Sequence, residues 1–188
     1  MEIKEFSQAY FKTSVAQPTG FPTDRPGILF VGKSNAGKST LLNALVGQRN
    51  LMRVSNTPGR TRLLNYVAVG KSLYLIDAPG YGYATGSNAF DLLMEPFLTA
   101  AKDFIKAVVL VMDARRGFED LDQKMVDYAN AVGLKVLYVF SKADKLNRED
   151  RAALRRQGSE KTGQDIYLVG FKDDFDLGRL RRELARLA

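Results

Sequence analysis

Gly32-Lys33-Ser34-Asn35-Ala36-Gly37-Lys38-Ser39 carries the spacing GxxxxGK[ST], and each position in it has a mechanical role. The glycines let the backbone curl so that successive N–H groups point inward at a row of phosphates. Lys38 reaches the β- and γ-phosphates, and the Ser39 hydroxyl is a ligand for Mg²⁺. A second group, Asp77-Ala78-Pro79-Gly80, places an acid where it can hold a Mg²⁺-bound water and a backbone N–H where it can approach the γ-phosphate. A third, Ser141-Lys142-Ala143-Asp144, could read a base. The Asp144 carboxylate can accept from guanine N1–H and the N2 amino group, donors that adenine lacks, while the Lys142 stem lies along the base plane. Two threonines, Thr57 and Thr61, are candidates to ligate Mg²⁺ and bond the γ-phosphate from a loop. Thr61 is the better placed, because a strand beginning at Arg62 anchors it while Pro58-Gly59 supplies the bend.

These groups need elements to hold them. Gly27–Val31 reads as a short buried strand, and Leu41, Leu42, Leu45 and Val46 give the following helix one apolar face. Phosphates would then sit at a helix N-terminus, where unpaired N–H groups and the dipole favour negative charge. Residues 48–61 form a polar, basic loop. Leu63–Val69 and Ser72–Ile76, joined by Gly70-Lys71, predict a β-hairpin. Strands at Ala107–Met112, Lys135–Phe140 and Asp165–Val169 alternate with helices at Ala89–Lys102, Asp120–Ala131, Arg148–Ser159 and Asp176–Leu187. That alternation predicts an α/β fold with a mostly parallel six-stranded sheet and helices on both faces. The chain is expected to form one domain over residues 1–188, with a proline-punctuated N-terminal extension before the first core strand.

Composition removes other chemistries. The chain of 188 residues has no histidine and no cysteine. Ser-His-Asp hydrolysis, imidazole proton shuttling, thiolate catalysis and most zinc sites are thereby excluded. Phosphoryl transfer survives, since it needs positioning and charge stabilisation more than a general base. No apolar run is long enough to span a membrane and no secretory signal is evident, so a cytoplasmic protein without a membrane partner is expected. The formal charge of +7 and pI near 9.6 point to a polyanionic partner. Arg49, Arg53, Arg60 and Arg62 bracket the loop, Arg115-Arg116 follow a strand, and Arg148, Arg151, Arg155 and Arg156 could form a ridge for RNA phosphates. In the last helix Leu177, Leu180, Leu184 and Leu187 form the buried stripe, leaving Arg179, Arg181, Arg182 and Arg186 outward or at its edge.

Taken in order, the phosphate loop, Thr57-Pro58-Gly59-Arg60-Thr61-Arg62 with Leu64-Asn65, Asp77-Ala78-Pro79-Gly80-Tyr81-Gly82-Tyr83 and Ser141-Lys142-Ala143-Asp144 resemble the EngB (YihA/YsxC) family of bacterial ribosome-biogenesis GTPases. The resemblance spans nearly the whole chain and implies a Ras-like, three-layer P-loop GTPase fold. It implies GTP or GDP held by Gly32, Lys33, Ser34, Asn35, Ala36, Gly37, Lys38, Ser39 and Thr40, by Gly59, Arg60 and Thr61, by Asp77 and Gly80, and by Ser141, Lys142 and Asp144. It implies Mg²⁺ at Ser39 and Thr61, with Asp77 acting through water, and a monomer assisting assembly of the large ribosomal subunit by docking on rRNA or ribosomal protein. A link to cell division and septation comes with it.

The chain departs from the family's pattern in two places. Ser141 stands where the base-reading motif usually begins with Thr or Asn, and Val169-Gly170-Phe171 stands where a final guanine loop usually reads Phe-Ser-Ser. A backbone N–H at Gly170 or Phe171 could still meet guanine O6. Tyr81 occupies the position where Ras-like enzymes carry the glutamine that orients water, so slow hydrolysis is expected. In related GTPases an asparagine at the place of Asn35 helps bind K⁺ between the β- and γ-phosphates, which makes Asn35, with Lys38 and Thr61, a catalytic candidate. Two alternatives stay open: a nucleotide-gated RNA-binding module with vestigial hydrolysis, and a small-molecule kinase, which lacks a clear lid.

Overall fold

The structure, a computed structural model, describes residues 1–16, 20–52, 63–82, 87–170 and 176–188. Within the helix that begins at Ser87, side chains are described from Met94 onward. Among the described residues seven strands form one sheet: β1 (Tyr10–Val15), β2 (Gly27–Val31), β3 (Leu64–Val69), β4 (Leu73–Asp77), β5 (Ile105–Asp113), β6 (Lys135–Ser141) and β7 (Tyr167–Leu168). Their order is β1-β3-β4-β2-β5-β6-β7. The pairs from β4 to β7 are parallel, and β3 alone is reversed, antiparallel to both β1 and β4.

The helices are α1 (Lys38–Val46), α2 (Ser87–Ala101), α3 (Asp120–Ala131), α4 (Arg148–Thr162) and α5 (Leu177–Arg186). They cover both faces, and the strands divide their side chains between them by the two-residue alternation of a pleated sheet. Ile28 and Phe30 point into a core with Leu41, Leu42 and Leu45 of α1 and Leu180 and Leu184 of α5. Leu29 and Val31 point into the opposite core, with Phe97 of α2 and Met125 and Ala129 of α3. Because both faces are covered, β2 and β4 are buried along their whole lengths. That explains why they read in the sequence as continuous apolar runs.

Among the described residues the sheet has one strand more than the six expected. Tyr10–Val15 adds an edge, pairing with β3 through a register shift between Phe11 and Thr13. Its residues are exposed or half-buried, so it lacks the apolar run that marks the central strands. At the other edge, β7 is shorter than the predicted Asp165–Val169.

Arginines of two helices find partners within the fold. Arg181, at the edge of the apolar stripe of α5 as expected, donates from its guanidinium to Leu45 O at 2.8 Å and Ala44 O at 2.5 Å, capping the last carbonyls of α1. A cation there also complements the helix dipole. Arg181→Ala should cost about 1.5–3 kcal/mol of stability, read as a lower urea midpoint at unchanged slope. The basic ridge on α4 is broken. Arg155 turns to Asp176 at 2.6 Å and to Ile166 O, and Arg151 donates to Leu146 O, leaving Arg148 and Arg156 as the exposed pair.

Candidate functional site

The chain turns from β2 towards β3 and β4 on one side, and β5, β6 and β7 lie on the other. Such a reversal opens a crevice at the carboxyl ends of the strands, where α/β sheets collect ligands. The phosphate loop leaves β2 there and runs into α1. Gly32 is required by close approach: a Cβ on it would lie 2.2 Å from Val111 O on β5. Asn35 adopts the left-handed region at φ 63°, a conformation asparagine tolerates better than most residues.

Lys38, at the first turn of α1, is buried and donates from Nζ to Gly32 O at 3.0 Å, across the mouth of its own loop. Burial pushes its ammonium below the usual amine range, and the Asp77 charge opposes that shift. Next to it, Ser39 Oγ donates to Asp77 Oδ2 at 3.1 Å. Asp77 ends β4 and is itself buried; desolvation raises its pKa, while Lys38 and Ser39 act in the opposite sense. Its other oxygen, Oδ1, is buried with no hydrogen-bond partner.

An orphaned carboxylate oxygen beside a serine hydroxyl is a hard-oxygen donor set that fits Mg²⁺ and its bound water. Among the described residues no group of three or more acidic, histidine or cysteine side chains could cage a metal unaided. A Mg²⁺ here would complete its shell with phosphate oxygens and water.

Gly80 is the second glycine that geometry requires, since a Cβ on it would come within 2.8 Å of Ser34 Cα. The next residue clasps the loop: Ser34 N donates to Tyr81 O at 2.9 Å, and Lys33 and Tyr81 form a parallel bridge. The Tyr81 hydroxyl donates to the buried Asp122 carboxylate on α3, and Asp122 also accepts from Glu119 N at 2.8 Å. Glu119 in turn binds Lys33 Nζ at 2.5 Å. The side chain at the usual glutamine position is therefore engaged with α3.

The base-reading candidates gather on the far side of the loop. Ser141 Oγ is fully buried, donates to Ala36 O and lies 3.1 Å from Met112 O. The serine thus ties β6 to the phosphate loop with its hydroxyl alone. Lys142, at φ 58°, sends Nζ to Asn35 O at 2.7 Å and Asp113 Oδ2 at 2.8 Å. Asp144 sits in a 3₁₀ turn with its side chain only 4% exposed and Lys145 Nζ at 3.7 Å. Val169 brackets that turn, donating to Phe140 O at 2.8 Å and accepting from Ala143 N at 3.1 Å, which puts buried Gly170 beside it.

The structure thus brings together Gly32 to Thr40, Asp77, Gly80, Ser141, Lys142, Asp144 and Gly170. Thr57, Gly59, Arg60, Thr61 and Phe171 lie outside the described residues. Four contributors have no motif to mark them. Asp113, Glu119 and Asp122 belong to the contacts above, and Asn43 of α1 anchors the root of the loop after it. The Asn43 side chain donates to Arg49 O at 3.1 Å and Met52 O at 2.9 Å and accepts from Met52 N at 2.7 Å. Only their acidic or amide character in or beside an apolar segment could have singled them out.

Residues 27–142 match a family model described as a 50S ribosome-binding GTPase. The chain is 40% identical over 167 residues to a probable GTP-binding protein EngB of Aquifex aeolicus, covering 87% of this chain and 89% of that one. It is 39% identical over 166 residues to the counterpart from Desulfovibrio desulfuricans, covering 86% and 82%. Among solved structures, a probable GTP-binding protein engB superposes with a TM-score of 0.66 at 22% identity, covering 86% of this chain and 97% of that one. Era bound to MgGDPNP and nucleotides 1506–1542 of 16S ribosomal RNA gives 0.67 at 21% identity, covering 88% and 57%. The loop-to-helix transition, the paired Ser39 and Asp77, and relatives alike over most of both chains lead to one conclusion: this chain belongs to the EngB family of GTP-binding P-loop GTPases.

Proposed function

We propose that the chain binds GTP with Mg²⁺ in the crevice above β2, hydrolyses it slowly, and uses the change of state to dock on and leave the large ribosomal subunit. The observation that carries the nucleotide reading is the cluster of buried Lys38 and Asp77 with half-buried Ser39, and its orphaned carboxylate oxygen. Lys38 neutralises the β- and γ-phosphates, the loop N–H groups hold them, and Gly80 N–H lies on the γ-phosphate side. Ser39 and Asp77 would hold Mg²⁺, Asp77 through water, with Thr61 as the further ligand. When bound, the ion would screen charge on the β- and γ-phosphate oxygens. Asp144 selects guanine, and Gly170 and Phe171 offer N–H groups to its O6.

Hydrolysis by the isolated protein is slow because Tyr81 is held on Asp122 and cannot orient water as glutamine does. Turnover near or below ~10⁻³ s⁻¹ is expected, as for unassisted switch GTPases. Asn35, exposed at the lip of the loop, is placed to help bind K⁺. Unchanged turnover of wild type and Asn35→Asp on exchanging sodium for potassium would remove that role. The subunit reading is supported by the description of the matching family and by the net charge of +7.

Sedimentation with large subunits tests it. Binding should be stronger with a nonhydrolysable GTP analogue than with GDP and should weaken steeply with salt. Equal binding in both states, or none, overturns it. The engagement of Tyr81 with Asp122 also favours a second reading, a nucleotide-gated module with vestigial hydrolysis. Single-turnover hydrolysis that large subunits fail to accelerate would select that reading.

A further inference from the structure

Asp113 ends β5 directly opposite Ser141 of β6 in the parallel register. It is 7% exposed, and its carboxylate gathers donors from two residues. Arg115 supplies its backbone N–H and Nε to Oδ1, each at 3.0 Å, and its terminal nitrogen to Oδ2 at 2.7 Å. Lys142 Nζ supplies the other bond to Oδ2, at 2.8 Å. Burial alone would raise the Asp113 carboxyl, but these bonds outweigh it and hold the group well below the usual carboxylate range.

The same Lys142 ammonium bonds Asn35 O at 2.7 Å. One cation therefore joins three segments: the phosphate loop, the end of β5, and the turn carrying Asp144. A lysine stem has four rotatable bonds and a large rotamer entropy, so a single carbonyl would not hold it in one path. A buried carboxylate, itself pinned by a two-pronged guanidinium, can.

We propose that Asp113 is a positioning residue for the guanine-binding turn, stretching Lys142 between β5 and the phosphate loop so that the lysine stem and Asp144 are set before the base arrives. Arg115 fixes the carboxylate that does this. The inference rests on the guanine reading above and adds to it a residue that touches no nucleotide. Its consequence is kinetic: with Lys142 tethered, the bound turn resists the loosening that must precede release of the base, so nucleotide residence lengthens.

The test is the dissociation rate of ribose-labelled fluorescent GDP from the intact protein. Wild type is compared with Asp113→Ala, Asp113→Asn, Lys142→Ala and Asp113→Ala/Lys142→Ala. Asp113→Ala should speed release about 10- to 100-fold, and Asp113→Asn, which keeps an acceptor for Lys142, should fall between it and wild type. In the Lys142→Ala background, Asp113→Ala should add less than about threefold, since its effect passes through the missing lysine. A fully additive double variant, or an Asp113→Ala rate equal to wild type, overturns the proposal. Should Asp113→Ala fail to fold, Asp113→Asn and Arg115→Ala take its place in the cycle, and additivity with Lys142→Ala overturns the proposal in the same way. A wild type that does not retain labelled GDP, or retains labelled ADP equally well, overturns the guanine reading and this inference together. Retention of GDP with an additive cycle overturns the role of Asp113 alone.

Discussion

Lys38→Ala is expected to weaken binding of both GDP and GTP by about 2–5 kcal/mol, roughly 30- to 5,000-fold. The size of the loss follows from where the ammonium sits. Lys38 is buried, donates to Gly32 O at 3.0 Å, and has its pKa depressed by that burial. Its charge is thus held largely stripped of water, and an incoming polyphosphate would restore the missing solvation. Truncation leaves phosphate oxygens in a low-dielectric loop without their cation, which is costlier than losing a surface charge. Equilibrium titration with fluorescent GDP reads the affinity directly. Ligand-induced stabilisation gives a second measure: about 2.7 kcal/mol is expected for wild type at a nucleotide concentration 100 times its Kd, and about 0.9 kcal/mol or less for the variant at the same concentration. Equal affinity in the two proteins would mean that phosphates do not enter this loop.

Asp144→Ala is expected to lower GDP affinity at least about 100-fold and to erase the preference for GDP over ADP. Two charge-assisted hydrogen bonds, each worth about 1.5–3 kcal/mol, are removed together. The Asp144 side chain is only 4% exposed, so the carboxylate is poorly served by solvent and would gain much from the guanine N1–H and N2 donors. Adenine presents an acceptor at N1 and no amino group at C2, so against it the carboxylate meets a lone pair. Selectivity would then come from a buried acceptor that only one base satisfies, the arrangement that discriminates most strongly. Competition of unlabelled GDP and ADP against labelled GDP measures the ratio for each protein. A variant that keeps its guanine preference would move base recognition to other groups.

The phosphate loop is legible in the sequence because its chemistry is local. Gly32 to Ser39 are contiguous, and the strand before and helix after them follow from apolar spacing alone. Asp77 and Ser141 to Asp144 are legible for a similar reason, since each group closely follows an apolar strand. The helix predicted at Asp120–Ala131 coincides with α3, and the one predicted at Asp176–Leu187 exceeds α5 by one residue at each end. Strand β1 escapes a periodicity argument because its residues stay exposed or half-buried at an edge. Its identity as a strand depends on a hydrogen-bonded partner, Leu64–Val69, far along the chain. The partners of Arg155 and Arg181 are not legible in the sequence because helical periodicity gives a side chain's direction but not what lies in its path.

By itself the sequence determined which chemistry to expect: the lack of histidine and cysteine removes imidazole and thiolate catalysis, and a glycine-curled loop ending in Lys38-Ser39, with Asp77 closing a strand, points to phosphate chemistry. Periodicity likewise dictated the alternation of strands and helices, because burial on a sheet of this kind repeats over short spans of chain. Tertiary structure alone decided the partners. It set Ser39 against Asp77, left Asp77 Oδ1 without a donor, tied Tyr81 to Asp122, and suspended Lys142 between Asn35 and Asp113. These contacts join residues 29 to 107 positions apart. Parallel strands bring such residues to one end of the sheet only when the crossover helices fold back in register, and no local pattern of residues encodes that meeting.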